Sequence, residues 1–264
     1  PIELQDSASV ASLVHRHFDA VVHLAAMSSG ADARRDPGLA WAINAGGTAR
    51  LLDELGKRRL AGEADALVVI ASTGEVYGAK ARTPLSEAAP VAPVSPYAAS
   101  KAGAELAARE THERTGLRVV IARPFQQTGP GQDDRFVVPA LVRRLLAAKV
   151  LGAPAVKVGN LEPIRDFLDV RDVAEALVAL MERGVASETY NIATGKGVAL
   201  SDLFHLIAEA VGVIAVPETD PRRMRAADIP YLVGDAGKLT LATGWRSSIP
   251  RAQTLGDLVA SYQA

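Results

Sequence analysis

The sequence predicts an α/β protein built on a doubly wound parallel sheet, with a smaller, mostly C-terminal domain beside it. Three observations carry this. Short apolar runs recur at Asp19-Ala-Val-Val-His-Leu-Ala-Ala, Ala66-Leu-Val-Val-Ile-Ala-Ser and Leu117-Arg-Val-Val-Ile-Ala, the pattern of strands buried on both faces. Helix-forming stretches alternate with them, and that alternation builds parallel sheets. From Arg123 onward turn-rich segments change the texture of the chain.

Taken in order, Pro-Ile-Glu-Leu at 1–4 reads as a strand end. Residues 7–17 read as a short helix with Val10, Leu13, Val14 and His17 on one side. After the strand at 19–26, a helix is expected over 38–59. The second buried strand covers 66–72, and 79–96 is a Pro-rich loop. A helix then runs from Tyr97 to about 115. Ser95 suits its N-cap, Pro96 its first turn and Gly116 its C-cap. The third strand follows at 117–122. Beyond Arg123 the expected elements are helices near 134–149, 170–183, 235–244 and 250–264, and strands at 166–170 and 189–193. Another helix runs to about 211, capped by Ser201.

The chain has 264 residues, enough for one large domain or two small ones. A formal net charge of −1 argues against nucleic-acid and membrane-surface partners. Cysteine is absent, which removes disulfides, thiolate nucleophiles and zinc–sulfur sites. His15 and His17 would diverge on a helix, so no metal site is expected. No 18-residue apolar run or signal peptide is visible, and the expected compartment is the cytoplasm.

Two clusters carry chemistry. Tyr97 and Lys101, at i and i+4, share one face of their helix. A phenol beside an ammonium can titrate below its ordinary value and exchange a proton with a carbonyl or hydroxyl near neutral pH. The same spacing also fits a surface lysine one turn from a half-buried tyrosine. Ser72 and Thr73 end the second strand, where a doubly wound sheet places its ligands. They are either partners for the oxygen that Tyr97 would protonate or a turn that caps the strand.

Further segments join these two: His23-Leu-Ala-Ala, Asn44-Ala-Gly-Gly-Thr, Ser72-Thr-Gly-Glu-Val-Tyr-Gly, Arg123-Pro-Phe, Gly129-Pro-Gly-Gln, Arg165-Asp-Phe-Leu-Asp-Val-Arg-Asp and Tyr190-Asn-Ile-Ala-Thr-Gly. In this order the chain resembles the extended short-chain dehydrogenase/reductase family of NAD-dependent epimerases and dehydratases, over nearly its whole length. Phe136-Val-Val-Pro-Ala, Gly159-Asn-Leu-Glu-Pro-Ile-Arg-Asp-Phe and Leu232-Val-Gly-Asp narrow the resemblance to GDP-4-keto-6-deoxy-mannose reductases and GDP-mannose 4,6-dehydratases.

The resemblance implies a Rossmann-like NAD(P)-binding domain at 1–122 and 165–193, and a nucleotide-sugar domain at 123–164 and 194–264. It implies that Tyr97 is the acid/base and that Lys101 lowers its pKa and binds the nicotinamide ribose. Thr73, with Ser72, would orient the sugar's 4-oxygen, and Glu75 would be the proton abstractor that dehydratases use. Leu24, Ala25, Ala26, Asn44, Pro124 and Phe125, with Tyr97 and Lys101, would line the cofactor, NAD or NADP. Ser28, Gln126, Arg165 and Arg225 would hold the nucleotide-diphosphate sugar, the arginines at its diphosphate. The small-residue faces of the helices at 40–57 and 97–115 would pair in a homodimer through a four-helix bundle. The expected reaction is reduction of a GDP-4-keto-6-deoxyhexose, with Tyr97 as proton donor. The alternatives are a UDP-glucose 4-epimerase-like reaction, a 4,6-dehydratase, and a degenerate member serving as sensor or scaffold.

The sequence departs from the family pattern at three places. No Gly-x-x-Gly-x-x-Gly turn is present, so the first βαβ unit is expected to be missing and the chain to be a fragment. Gly74 stands where dehydratases carry an acidic or hydroxyl residue, and Gln126 where the family often has Asn. Trp41, Trp245 and His23 read as packing residues, and Arg34-Arg35, Asp133-Asp134 and Arg222-Arg223 as surface charge.

Overall fold

A computed structural model describes residues 3–79, 82–224 and 229–263. The described elements of the first half are α1 (Ser7–Val14), β1 (Ala20–His23), α2 (Gly30–Arg35), α3 (Pro37–Trp41), α4 (Thr48–Leu60), β2 (Leu67–Ala71), α5 (Pro96–Thr115) and β3 (Arg118–Pro124). Next come β4 (Gln126–Thr128), α6 (Val137–Leu151), β5 (Ala155–Val158), β6 (Ile164–Asp169), α7 (Val170–Arg183) and β7 (Thr189–Ile192). The described chain closes with β8 (Gly197–Ala199), α8 (Leu200–Val211), β9 (Val216–Thr219), β10 (Tyr231–Leu232), α9 (Gly237–Thr243) and α10 (Arg251–Ser261).

The main sheet has the order β1-β2-β3-β7, all parallel. Its central strands alternate between two cores. Val68, Ile70, Val119 and Ile121 pack with Leu51, Leu52 and Leu55 of α4 and Ala108 of α5. Leu67, Val69, Val120 and Ala122 meet Val173, Ala176, Leu177 and Leu180 of α7. Both faces are therefore covered, as the apolar runs predicted. In β1 only His23 is buried, because that strand pairs with β2 alone among the described residues.

α5 begins and ends where local chemistry dictates. The Ser95 hydroxyl accepts from the Ala98 N–H at 3.1 Å, Pro96 fills the first turn, and Gly116 takes the left-handed conformation at φ +70°. The long helix expected at 38–59 is interrupted. Ala42–Gly47 is wound as a π-helix between α3 and α4, the kind of widening that often marks a functional position.

The remaining strands form smaller sheets. β6 lies between β10 and β4 and pairs antiparallel with β8, while β5 pairs with β9. Their core joins Leu141, Val142 and Leu145 of α6 to Leu203, Phe204 and Ile207 of α8 and Leu255 and Leu258 of α10. Among the described residues no helix is long and apolar enough to cross a membrane.

Two expectations are corrected. The expected strand end at 1–4 is not a strand: Leu4 and Gln5 form a turn, and residues 1 and 2 lie outside the described residues. Leu4 is buried against Gly47, whose lack of a side chain makes room for it. Ser201 does not cap its helix, because Ala199 holds that position and Ser201 lies in the first turn.

Candidate active site

The carboxyl ends of β1, β2 and β3 meet the N-terminal half of α5, and the residues singled out from sequence gather there. Ala71, the last residue of β2, presents its carbonyl to the Lys101 ammonium at 2.7 Å. The Thr73 hydroxyl lies near enough to the Tyr97 phenol to favour its ionised form, and it accepts the Glu75 N–H at 3.2 Å. The short 3₁₀ turn Gly74–Tyr77 sets Glu75 close enough to Tyr97 to act on it electrostatically. Gly78 closes that turn at φ +74°, where a side chain would run into the Ala92 carbonyl.

The electrostatics correct one expectation. Burial, and then the Glu75 charge, push the Tyr97 phenol above its ordinary value, and the Thr73 hydroxyl opposes them. The expected lowering by Lys101 does not occur. That ammonium is itself buried, is bonded to Ala71, and is brought down by desolvation from 10.5 to about 8.

Ser72 and Thr73 do not act as a pair. Neighbouring residues of an extended chain point to opposite faces, and the Ser72 hydroxyl donates to Glu105 at 2.5 Å instead. Glu105 is buried, and it also receives Arg123 through Nε at 2.8 Å and Nη2 at 2.6 Å. Phe125 is corrected too: its ring is buried between Gly74 and Gly234, so it belongs to the core rather than to a cofactor surface.

Asn44 sits in the π-helix with its amide fully engaged. Its Oδ1 accepts the Met27 N–H at 2.8 Å, and its Nδ2 donates to the Met27 carbonyl at 3.1 Å and to Ser100 at 2.9 Å. Asn44 therefore ties the loop after β1 to α5. That loop holds Leu24, 58% exposed, with the small residues Ala25 and Ala26 behind it. An exposed apolar and small-residue shelf at the sheet's carboxyl end, with the Lys101 ammonium beside the β2 end, fits the nicotinamide-ribose half of a dinucleotide. His23 is a core histidine, as expected. Burial, then Lys101, lower it from 6.5 to about 4, and its Nε2 lies 3.0 Å from the Thr48 hydroxyl.

Beside this shelf opens a cleft of about 400 Å³ that reaches Glu75 and Ser95, chain neighbours of Thr73 and Tyr97. Ser28, Gln126 and Arg165 line it, and Arg225 falls outside the described residues. Gln126 turns a buried Oε1 with no hydrogen-bond partner among the described residues, an acceptor suited to a ligand's donor. Arg165 is 8% exposed and donates to the Ile164 carbonyl at 2.9 Å.

The cleft also holds cations that the sequence reading assigned to the surface or passed over: Arg34, Arg135, Arg144 and Arg223. Burial, and then the Arg223 charge, hold Arg144 below its usual range, a crowding that an anion would relieve. One signal was available for Arg144. It lies at i+7, i+4 and i+3 from Val137, Ala140 and Leu141, which line the same wall. Arg35 and Arg222 do face solvent, paired with Asp32 and Asp220. Trp245 is buried and donates to the Asp172 carbonyl at 3.1 Å, while Trp41 is 47% exposed beside Gly103.

The family model described as GDP-mannose 4,6 dehydratase matches residues 1–257. A GDP-6-deoxy-D-mannose reductase from Pseudomonas aeruginosa is 36% identical over 249 residues, 93% of this chain and 81% of that protein. A GDP-6-deoxy-D-talose 4-dehydrogenase from Aggregatibacter actinomycetemcomitans is 30% identical, over 92% of this chain and 79% of that protein. The solved structure of RMD from Pseudomonas aeruginosa complexed with NADPH superposes with a TM-score of 0.91 at 33% identity, covering 100% of this chain and 87% of that one.

Proposed function

We propose that this chain, which belongs to the GDP-mannose 4,6-dehydratase family, reduces a GDP-4-keto-6-deoxyhexose to the 4-hydroxy sugar with a nicotinamide cofactor. The observation that carries this is Tyr97. It is a half-buried phenol held in its protonated form beside the Thr73 hydroxyl, at the carboxyl end of a parallel sheet and next to an arginine-lined cleft. The named activities of the two relatives, both on GDP-6-deoxyhexoses, supply the substrate class.

The Leu24–Ala26 shelf and Lys101 would hold a nicotinamide cofactor, NADPH by analogy with the superposed structure, and that cofactor would supply the hydride. Reduction puts a hydride on C4 and moves the C=O π pair onto oxygen. Tyr97 gives its proton to that oxygen, and the neighbouring Thr73 hydroxyl can donate to the resulting phenolate. Lys101, still cationic below pH of about 8, anchors the cofactor's ribose. Glu75 keeps Tyr97 protonated until the alkoxide forms, and Gly74 brings no second acid for water elimination. Ser28, Gln126, Arg165 and Arg225 hold the sugar nucleotide, joined by Arg144 and Arg223 at its diphosphate.

In the same proposal, residues 1–122 and 165–193 hold the dinucleotide, and 123–164 and 194–264 the sugar nucleotide. The protein works in the cytoplasm as a homodimer, paired through a four-helix bundle of α4 and α5; a monomeric mass by light scattering would refute the pairing. The decisive assay presents the full-length protein with NADPH and GDP-4-keto-6-deoxy-mannose. Consumption of one NADPH per sugar, with a 4-hydroxy product, is expected. Copurified NAD together with interconversion of UDP-glucose and UDP-galactose, without net NADPH use, would replace the reductase with an epimerase.

A further inference from the structure

Three consecutive residues at the end of β2 meet three turns of α5. Ala71 accepts from Lys101 at 2.7 Å, Ser72 donates to Glu105 at 2.5 Å, and Thr73 stands beside the Tyr97 phenol. On α5 these partners are four residues apart and share one face. Two of the contacts involve groups with a proposed part in the reaction. The third does not. Glu105 is 1% exposed and lies outside the cleft.

Its carboxylate is saturated. Ser72, both forks of Arg123 and, at 3.2 Å, Arg109 supply four donors, about the full acceptor capacity of the group. No lone pair is left for substrate, so Glu105 is not a catalytic residue. A buried ion pair is also weak evidence for stability as such. What this one accomplishes is geometric. Arg123 belongs to β3 and Ser72 follows β2, so a single α5 side chain clasps both strands at the level of the site. The extended residues alternate faces, and a slip of one position would turn Thr73 away from Tyr97.

We infer that Glu105 is a positioning residue: through Ser72 and Arg123 it sets the register of the β2 end against α5, and thereby the Thr73–Tyr97 pair. The kinetic consequence rests on the proposed reductase activity; the register itself does not. Ser72→Ala removes one link and spares the ion pair, so the fold is retained. Glu105→Gln breaks both links.

The test compares wild type, Ser72→Ala, Glu105→Gln and the double variant in the full-length protein. One arm is amide hydrogen exchange without substrate. Exchange across 72–78 should accelerate in Ser72→Ala, including the Glu75 amide that Thr73 holds, while 137–151 stays unchanged. The other arm is NADPH-dependent turnover. Displacing a reacting group by about 1 Å costs up to 10²-fold, so kcat should fall roughly tenfold in Ser72→Ala with KM for both substrates within about twofold. The double variant should be no worse than Glu105→Gln, since Ser72 acts only through Glu105. Unchanged exchange at 72–78, a KM effect at constant kcat, or multiplicative losses would overturn the inference. If wild type turns over no nucleotide sugar, the reductase activity fails and the exchange arm alone decides the register.

Discussion

Replacing Lys101 with Met should abolish turnover and stabilise the fold at neutral pH. In the native protein the ammonium is 7% exposed, and burial brings its pKa from 10.5 to about 8. The sign follows from proton binding. Between these two values the unfolded chain keeps a proton that the folded chain has released, so wild-type stability rises as pH increases from 8 to 10.5. Below 8 the fold carries the full cost of the buried charge, about 3 kcal/mol for a shift of this size. Methionine removes that cost and also removes the bond to the Ala71 carbonyl, worth about 1 kcal/mol. The net expectation at pH 7 is a gain of about 2 kcal/mol. It should shrink to zero and then reverse as pH approaches 10.5, where the folded-state lysine is already neutral and the unfolded-state lysine is losing its proton. Urea unfolding of both proteins from pH 6.5 to 10.5 measures this directly. A Lys101→Met protein less stable than wild type at pH 7, or a difference that ignores pH, would refute the reasoning.

Four further outcomes are expected. The pH profile of kcat/KM should fall about tenfold per unit above pH of about 8, as Lys101 loses its charge while Tyr97 stays protonated; a plateau beyond pH 9.5 would contradict this. Asp166→Asn should cost about 2–4 kcal/mol in urea. One Asp166 oxygen accepts the Gly195 N–H at 3.0 Å and the Gly234 N–H at 3.3 Å and the other accepts the Thr194 N–H at 3.1 Å, so an amide in either orientation turns its NH₂ toward a backbone N–H; a loss below about 0.5 kcal/mol would rule this out. For Glu105, burial alone would raise the pKa, but Arg123 and Ser72 hold it below 4.5. Its stabilisation is therefore present above pH 4.5 and lost on acidification below it, and Glu105→Gln should flatten that acid limb of the stability curve. The Thr48 hydroxyl donates to the Asn44 carbonyl at 2.6 Å, so it must accept the proton of His23 Nε2; Thr48→Val should cost about 1–3 kcal/mol and Thr48→Ser much less.

Much of this site was legible because its signals are local. Ser95, Pro96 and Gly116 mark the ends of α5 within a turn of chain, and the i, i+4 spacing of Tyr97 and Lys101 needs only a helix. β2 and β3 announce themselves as apolar runs because helices cover both of their faces. The short strands β4, β8 and β10 carry no period of their own; each has two or three residues, paired with the distant β6. The π-helix at Ala42–Gly47 was hidden for the same reason, since what holds its Asn44 is Met27 and Ser100. Ser72 was within reach. The period of two that identifies β2 as a strand also turns Ser72 and Thr73 to opposite faces, so they could not both meet one oxygen. Glu105 shares the face of Tyr97 and Lys101, but its meaning lies in Arg123 and Ser72, which the chain brings from two other elements.

Burial acts in opposite directions on the two central groups. It raises a phenol and lowers an ammonium, because in each case the neutral form is easier to desolvate. At neutral pH the site therefore keeps a protonated Tyr97 beside a still-charged Lys101. An acid already ionised at rest could not donate, and a reductase needs its proton only when hydride has turned a carbonyl into a strongly basic alkoxide. Glu75 reinforces the waiting state by disfavouring phenolate, and Thr73 eases the transfer by bonding it once formed. The balance between those two neighbours, three residues of chain centred on Gly74, sets how readily Tyr97 gives up its proton. Tyr97 thus depends on the placement of the β2 end relative to α5, which is the distance that Glu105 holds through Ser72.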